Sequence, residues 1–408
     1  MSQIKKVLPA TPYSYDNEEQ AMLSCINLAQ QDKIRKSESG EKHMKKLRMG
    51  IIGMGMAFER LHYPAYQKLQ DEFEIAAICD LKIEKAANWQ QTLGLSPKDI
   101  YDDYRKMLNR NDIDAFDIMV PIELNFKVTE DIAKAGKPII CEKPLAPTKE
   151  QAEAARQLPT KFDIPILIAE NYRYNEEINI IRDLVRNKDI GEVYHFIQNR
   201  VVDFPKDMLK NKFPATEWRQ HPDFPGGAFL DTGVHDIGAL RHIFGAIDSV
   251  HAFGKEQKEN FSPYSVIQAN MRFASGVIGQ FTFFSAGKEM QRPLVGLRIF
   301  GTKGEIFLEE RDCGTVNVAY NDGSGKQIPY KAQQGFYYEL LNFHKAASGE
   351  EALSVTPELE FGDAITIFAI LESARKQNIV QVDETEEFDF KPYQQAKTLH
   401  QTEQPTIH

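Results

Sequence analysis

Several short stretches of this chain carry side chains whose types and spacing suit proton and hydride chemistry. The first is Gly53-Met54-Gly55-Met56-Ala57-Phe58, directly after an apolar run. Two glycines so spaced permit a tight turn and let the backbone approach a pyrophosphate, which then sits at the N-terminus of the next helix. Asp80 closes the second apolar run, where an acid can hydrogen-bond an adenosine ribose. Asp80 favours NAD, while Lys82 could neutralise a 2′-phosphate and keeps NADP open. Phe58 fills the third small position of the glycine fingerprint, which argues against the usual close packing of helix on strand.

The second stretch is Cys141-Glu142-Lys143-Pro144, at the end of a strand. Ligands of open parallel sheets bind at that edge, and an ammonium group held there could polarise the oxygen of an alcohol or ketone. A surface Glu-Lys pair followed by a strand-ending proline fits the same residues. The third is Gly226-Gly227-Ala228-Phe229-Leu230-Asp231-Thr232-Gly233-Val234-His235. On a helix, Asp231 and His235 are one turn apart and share a face. Such a pair suits proton transfer near neutrality, and it equally suits a capped helix start with a satisfied, buried histidine. No third ligand accompanies Asp231 and His235 at metal-binding spacing, so no metal is expected.

Strands and helices must position these groups. Short apolar runs at Met49–Ile52, Ile75–Cys79, Ala115–Val120, Ile139–Cys141 and Ile166–Ala169 alternate with helical segments, which predicts a doubly wound parallel sheet. Gly136 reads as a helix C-cap, and Thr148 with Gln151 as a capping box. Beyond Glu170 the grammar changes. Period-two segments Ser265–Phe273 and Val277–Phe284 flank Ser275-Gly276, and 295–300 with 305–308 flank Lys303-Gly304, each predicting an antiparallel hairpin. Helical patterns cover 176–186, 230–244, 336–347 and 357–375. The expected organisation is a flexible extension over 1–44, a dinucleotide-binding Rossmann domain over 45–170, an α+β domain with a mostly antiparallel open sheet over 171–390, and a polar tail over 391–408.

Composition narrows the function class. The 408 residues carry a formal charge of -10, the wrong sign for a nucleic-acid or anionic-membrane surface. Cys25, Cys79, Cys141 and Cys313 lie far apart, as in a reduced cytoplasmic protein. No stretch approaches a membrane span.

The glycine turn, the Glu142-Lys143-Pro144 tripeptide and the Gly226-Gly227 to His235 block, in this order, resemble the Gfo/Idh/MocA oxidoreductases over about residues 47–385. That is the family of glucose-fructose oxidoreductase and inositol 2-dehydrogenase. The resemblance implies a catalytic or substrate-binding set of Lys143, Asp231 and His235, and cofactor contacts at Gly53, Gly55, Met56, Ala57, Asp80, Pro121, Asn125, Glu142 and Lys143. Asn125 stands where many members have a histidine, and His62-Tyr63-Pro64 follows the turn as in the part of the family with one extra residue there. Arg173, in Glu170-Asn171-Tyr172-Arg173, and Arg219, in Trp218-Arg219, are expected in the substrate cleft.

The implied activity is NAD(P)-dependent hydride transfer to or from a secondary alcohol or ketone of a sugar, sugar derivative or cyclitol. His235 would take the hydroxyl proton and Lys143 would stabilise the alkoxide. Substrate is expected between the dinucleotide domain and the open face of the second sheet. A homodimer or homotetramer is expected through that sheet, whose strand Phe281-Thr282-Phe283-Phe284 is the candidate contact. The rivals are an NAD-dependent glycosidase of the same fold and a non-catalytic sugar or dinucleotide sensor.

Overall fold

The structure is a computed structural model that describes residues 46–285 and 296–382. The extension over 1–44, the tail over 391–408, residues 383–390 and Cys25 lie outside the described residues.

Continuous apolar runs bury both faces of a strand and so favour a parallel sheet covered by helices. Six such strands form one sheet: β1 (Leu47–Ile52), β2 (Phe73–Cys79), β3 (Ile100–Tyr101), β4 (Ala115–Ile118), β5 (Ile139–Glu142) and β6 (Ile166–Ala169). All their pairings are parallel, in the order β3-β2-β1-β4-β5-β6. The sequence reading omits β3, because two residues carry no periodicity. Helix α1 (Ile122–Lys134) ends at Gly136, whose φ of 71° suits a glycine after the last turn. Helix α2 (Lys149–Arg156) opens on Thr148, whose side chain accepts from the Gln151 amide.

The second sheet has nine strands, in the order β14-β13-β12-β11-β7-β10-β9-β8-β15. They are β7 (Val193–Val201), β8 (Ile247–Glu256), β9 (Tyr264–Phe273), β10 (Ile278–Phe284), β11 (Leu297–Gly301), β12 (Gly304–Leu308), β13 (Thr315–Tyr320), β14 (Gly325–Pro329) and β15 (Val380–Gln381). Both predicted hairpins are present as antiparallel pairs, and only β7 with β10 runs parallel. Along β9, Ile267, Ala269, Met271 and Phe273 are buried while Gln268, Asn270 and Arg272 are exposed, the alternation of a strand with one wet face.

The buried face packs on α3 (Glu176–Arg186), α4 (Ala228–Phe244) and α6 (Pro357–Lys376). Helix α4 is buried nearly all round because it lies between the sheet and the other two helices. Helix α5 (Gly335–Ala347) and α6 return to the first sheet. The Phe336 ring lies 5.7 Å from His62, Arg156 donates to Glu358 at 3.0 Å, and the Ile168 amide donates to Val355 at 3.1 Å. The carboxyl edge of the parallel sheet therefore faces the first turns of α4.

Candidate active site

The glycine turn leaves β1 with Gly53 at φ 99°, where a Cβ would lie 2.1 Å from the Met119 carbonyl oxygen. Only glycine fits there. At Gly55 nothing lies within 4 Å of an added Cβ, so the turn presents bare backbone to open space. Asp80 braces it: one carboxylate oxygen accepts from the Met54 amide at 3.0 Å and the other from the Lys82 amide at 2.9 Å. Phe58 is fully buried, edge-on to Trp89 at 4.9 Å and 5.6 Å from Tyr63. A wider π turn over Phe58–His62 accompanies this bulk, and the usual small third residue is absent.

A cavity of about 1110 Å³ runs from this turn to α4, lined by Gly53, Gly55, Met56, Ala57, Asp80, Lys82, Pro121, Glu142, Lys143, Arg219, Asp231 and His235 among others. Bare glycine backbone, a braced acid and a long cleft make a donor set that fits a dinucleotide.

Lys143 sits where β5 ends. Its ammonium donates to the backbone oxygen of Asp231 and, at 3.1 Å, to Asp231 Oδ1. Arg219 Nε donates to Asp231 Oδ2 at 2.7 Å, and its guanidinium stacks on Trp218 at 4.0 Å. Burial pushes the Asp231 carboxyl up, but Arg219 and Lys143 outweigh it and hold it well below the usual carboxylate range. Asp231 is thus an anion that anchors two cations.

His235 follows one turn later on α4. The helix starts where it does because Gly227, at φ 50°, passes so close to the Phe261 carbonyl that a Cβ would lie 2.2 Å from its oxygen. The imidazole stacks on Tyr172 at 4.3 Å, and Nδ1 is 2.8 Å from Glu170 Oε1. Nε2 has no partner among the described residues. Burial, with Lys143, Arg311 and Arg200 nearby, holds the imidazole well below its ordinary pKa, and burial lifts Glu170 to about 8 against the pull of Lys143. The two groups share one contact, so a proton lost from the pair alters both ends of it. Below the pair's transition Nε2 carries a proton; above it Nδ1–H donates to the carboxylate and leaves the Nε2 lone pair free.

Glu142 is held from behind by His62, whose Nε2 lies 3.0 Å from Glu142 Oε1 and whose Nδ1 lies 2.9 Å from Asp117 Oδ2. Burial opposes charge on His62, but the two carboxylates prevail and raise its pKa well above the ordinary value.

Three expectations are corrected. Asn125 does not line the cleft: it is fully buried on the inner face of α1, and its amide donates to Glu142 O at 2.9 Å and Pro144 O at 3.0 Å. It fixes the segment that carries Lys143, while Leu124, Lys127 and Val128 line the cavity. Arg173 also points away from the cleft, into the core, donating to both oxygens of Asp363 at 2.6 and 2.7 Å beside Arg241. The cleft does not lie over the open face of the second sheet. It opens on the face that carries α4, beside Arg200 and Val202 at the end of β7. On β10, Phe281 and Phe283 pack against Phe229 of α4, so only Thr282 and Phe284 face the other way. Glu170, Tyr172, Arg200 and Arg311 were missed as site residues. Only Glu170 had a readable signal, an acid following the last strand of the parallel sheet.

Residues 47–163 match the oxidoreductase family with an NAD-binding Rossmann fold, and residues 178–307 match the Gfo/Idh/MocA C-terminal domain. The chain belongs to the Gfo/Idh/MocA oxidoreductases. It is 29% identical over 346 residues to an uncharacterized protein of Saccharomyces cerevisiae, covering 82% of this chain and 97% of that one. It is 25% identical over 395 residues to levoglucosan dehydrogenase of Pseudarthrobacter phenanthrenivorans, covering 83% and 99%. A levoglucosan dehydrogenase solved in complex with NADH superposes with a TM-score of 0.74 at 22% identity, over 83% of this chain and 99% of that one, which establishes the likeness of fold. This protein is accordingly an oxidoreductase with a nicotinamide-cofactor domain. Among the described residues no helix is long and apolar enough to cross a membrane, and no group of three or more His, Cys, Asp or Glu side chains is placed to hold a metal ion.

Proposed function

We propose that this chain transfers hydride between NAD(P) and a secondary alcohol or ketone of a sugar, sugar derivative or cyclitol. The observation that carries this reading is the convergence of Lys143, Asp231 and His235 in the cavity that starts at the glycine turn. Residues 45–170 would bind the dinucleotide and 171–390 the substrate, since Gly53 and Asp80 come from the first part and Asp231 and His235 from the second.

When bound, the dinucleotide supplies the two-electron acceptor for oxidation or the donor for reduction. The chain's own residues handle the proton and the charge. In oxidation the substrate hydroxyl donates to His235 Nε2 while the Lys143 ammonium stabilises the oxygen as it becomes an alkoxide. Asp231, held by Arg219, aims the ammonium and accepts from a neighbouring hydroxyl. Glu170 fixes the imidazole and sets its tautomer. The sugar class draws on the levoglucosan dehydrogenase likeness and on the polar lining of this end of the cleft.

Asp80 favours NAD, since its carboxylate would repel a 2′-phosphate; Lys82 and Lys85 also line that end. Unpaired, buried Cys79 and Cys141 suit a reducing cytoplasmic compartment. A dimer or tetramer would form through the open face of the second sheet, where Phe253 and Ile278 are exposed. The test is calorimetric titration with NAD and NADP. Tighter binding of NAD, by about ten-fold or more, is expected; binding of neither would end the dehydrogenase reading.

A further inference from the structure

Two guanidinium groups near His235 lower its pKa but contact no reacting atom in the chemistry above. Arg311 lies over the Tyr172 ring, its guanidinium carbon 4.2 Å from the centroid, on the ring that also stacks with His235. Among the described residues no carboxylate comes within ion-pair distance of Arg311. Arg200, at the end of β7, is only loosely matched: its Nε lies 3.8 Å from Asp236 Oδ2 and is buried without a hydrogen bond. Asp236 is drawn instead to Gln198, whose amide donates to it at 3.1 Å. Arg200 and Arg311 line both the main cleft and an adjoining chamber of about 210 Å³. Asp236 and Glu177 feel the charge of Arg311 but make no ion pair with it, so its planar guanidinium stays open to a ligand carboxylate.

We infer that the cleft takes a sugar acid, with its carbinol at Lys143 and His235 and its carboxylate at Arg311 and Arg200. This inference rests on the dehydrogenase reading and narrows it. A carboxylate fits the charge balance better than a phosphate. Asp236, Glu309, Glu310 and Asp312 also line the chamber, and these acids repel a dianion more strongly than a monoanion.

The test is calorimetry on the full chain saturated with whichever dinucleotide binds, titrated with the matched pairs galactose and galacturonate, and glucose and glucuronate, and with glucose 6-phosphate. At least one uronate should bind ten-fold or more tighter than its neutral partner. Arg311→Met should bring that ratio within about two-fold, and Arg311→Lys should keep part of it. Thermal unfolding of both variants confirms the fold. Uronates that bind no tighter than the neutral sugars, or not at all, would overturn the inference, as would a ratio that survives in Arg311→Met. A phosphate preferred to both uronates would overturn the choice of carboxylate. The dinucleotide titration in the same cell keeps the two readings apart, because its failure removes the dehydrogenase itself, whereas normal dinucleotide binding without uronate preference removes the sugar acid alone.

Discussion

At the scale of single residues, the role proposed for Lys143 is to stabilise charge as it develops on the substrate oxygen. Its ammonium is already aimed by two contacts to Asp231, so little reorganisation is needed at that moment. Lys143→Met should lower kcat about 100-fold, roughly 3 kcal/mol of transition-state stabilisation, with dinucleotide affinity changed only a few-fold. Steady-state kinetics beside calorimetry checks this, and a change confined to cofactor affinity would make Lys143 a binding group. The Glu170–His235 pair gives a pH signature. With His235 as the proton acceptor, Nε2 becomes free once Glu170, lifted by burial to about 8, loses its proton, so oxidation should rise with pH through that range and reduction should fall. Glu170→Gln removes the titrating carboxyl; its profile should lose that limb and follow the imidazole alone, at lower pH. An unchanged limb would place the titration elsewhere. The sequence showed the types and spacing of Lys143, Asp231 and His235. It could not show Glu170 behind His235, because 65 residues separate them and only the fold closes that gap.

At the scale of elements, the helix and strand patterns were readable wherever period and punctuation agreed. Helix α3 begins and ends as its pattern predicts, and the hairpin around Gly276 closes at the expected turn. What was not readable was the direction in which a helical residue points. Asn125 shares a short helix start with Pro121, and family likeness placed it in the cleft, but the turn of α1 rotates it inward. On the proposed mechanism it would be a positioning residue, acting through the backbone that carries Lys143. Asn125→Ala removes the amide donor to the Glu142 and Pro144 carbonyl oxygens, the latter buried, and should destabilise the fold by about 2 kcal/mol. It should also lower kcat several-fold with KM nearly unchanged, because the displaced ammonium is used mainly in the transition state. Denaturant unfolding and kinetics on the same sample separate the effects; lost stability with an intact kcat would leave Asn125 purely structural.

At the scale of the whole molecule, the site exists because helices from the end of the chain return to its beginning. Arg173 illustrates this: it resembles a cleft residue in sequence, yet it joins Arg241 on Asp363 of α6 and braces the segment that leads to Tyr172. No local pattern could reveal an ion cluster assembled across 190 residues. The cleft lies between the edge of the parallel sheet and the first turns of α4, so a hydride acceptor and a proton acceptor can flank one carbinol carbon. The most direct measurement of that claim is the stoichiometry of reduced cofactor and ketone during turnover of neutral and acidic sugars, followed by absorbance and product analysis. Net reduced dinucleotide should accumulate one for one with ketone, and His235→Asn should suppress both together. Cofactor that returns unchanged while a glycosidic bond is cleaved, or sugars that bind without any turnover, would contradict the account.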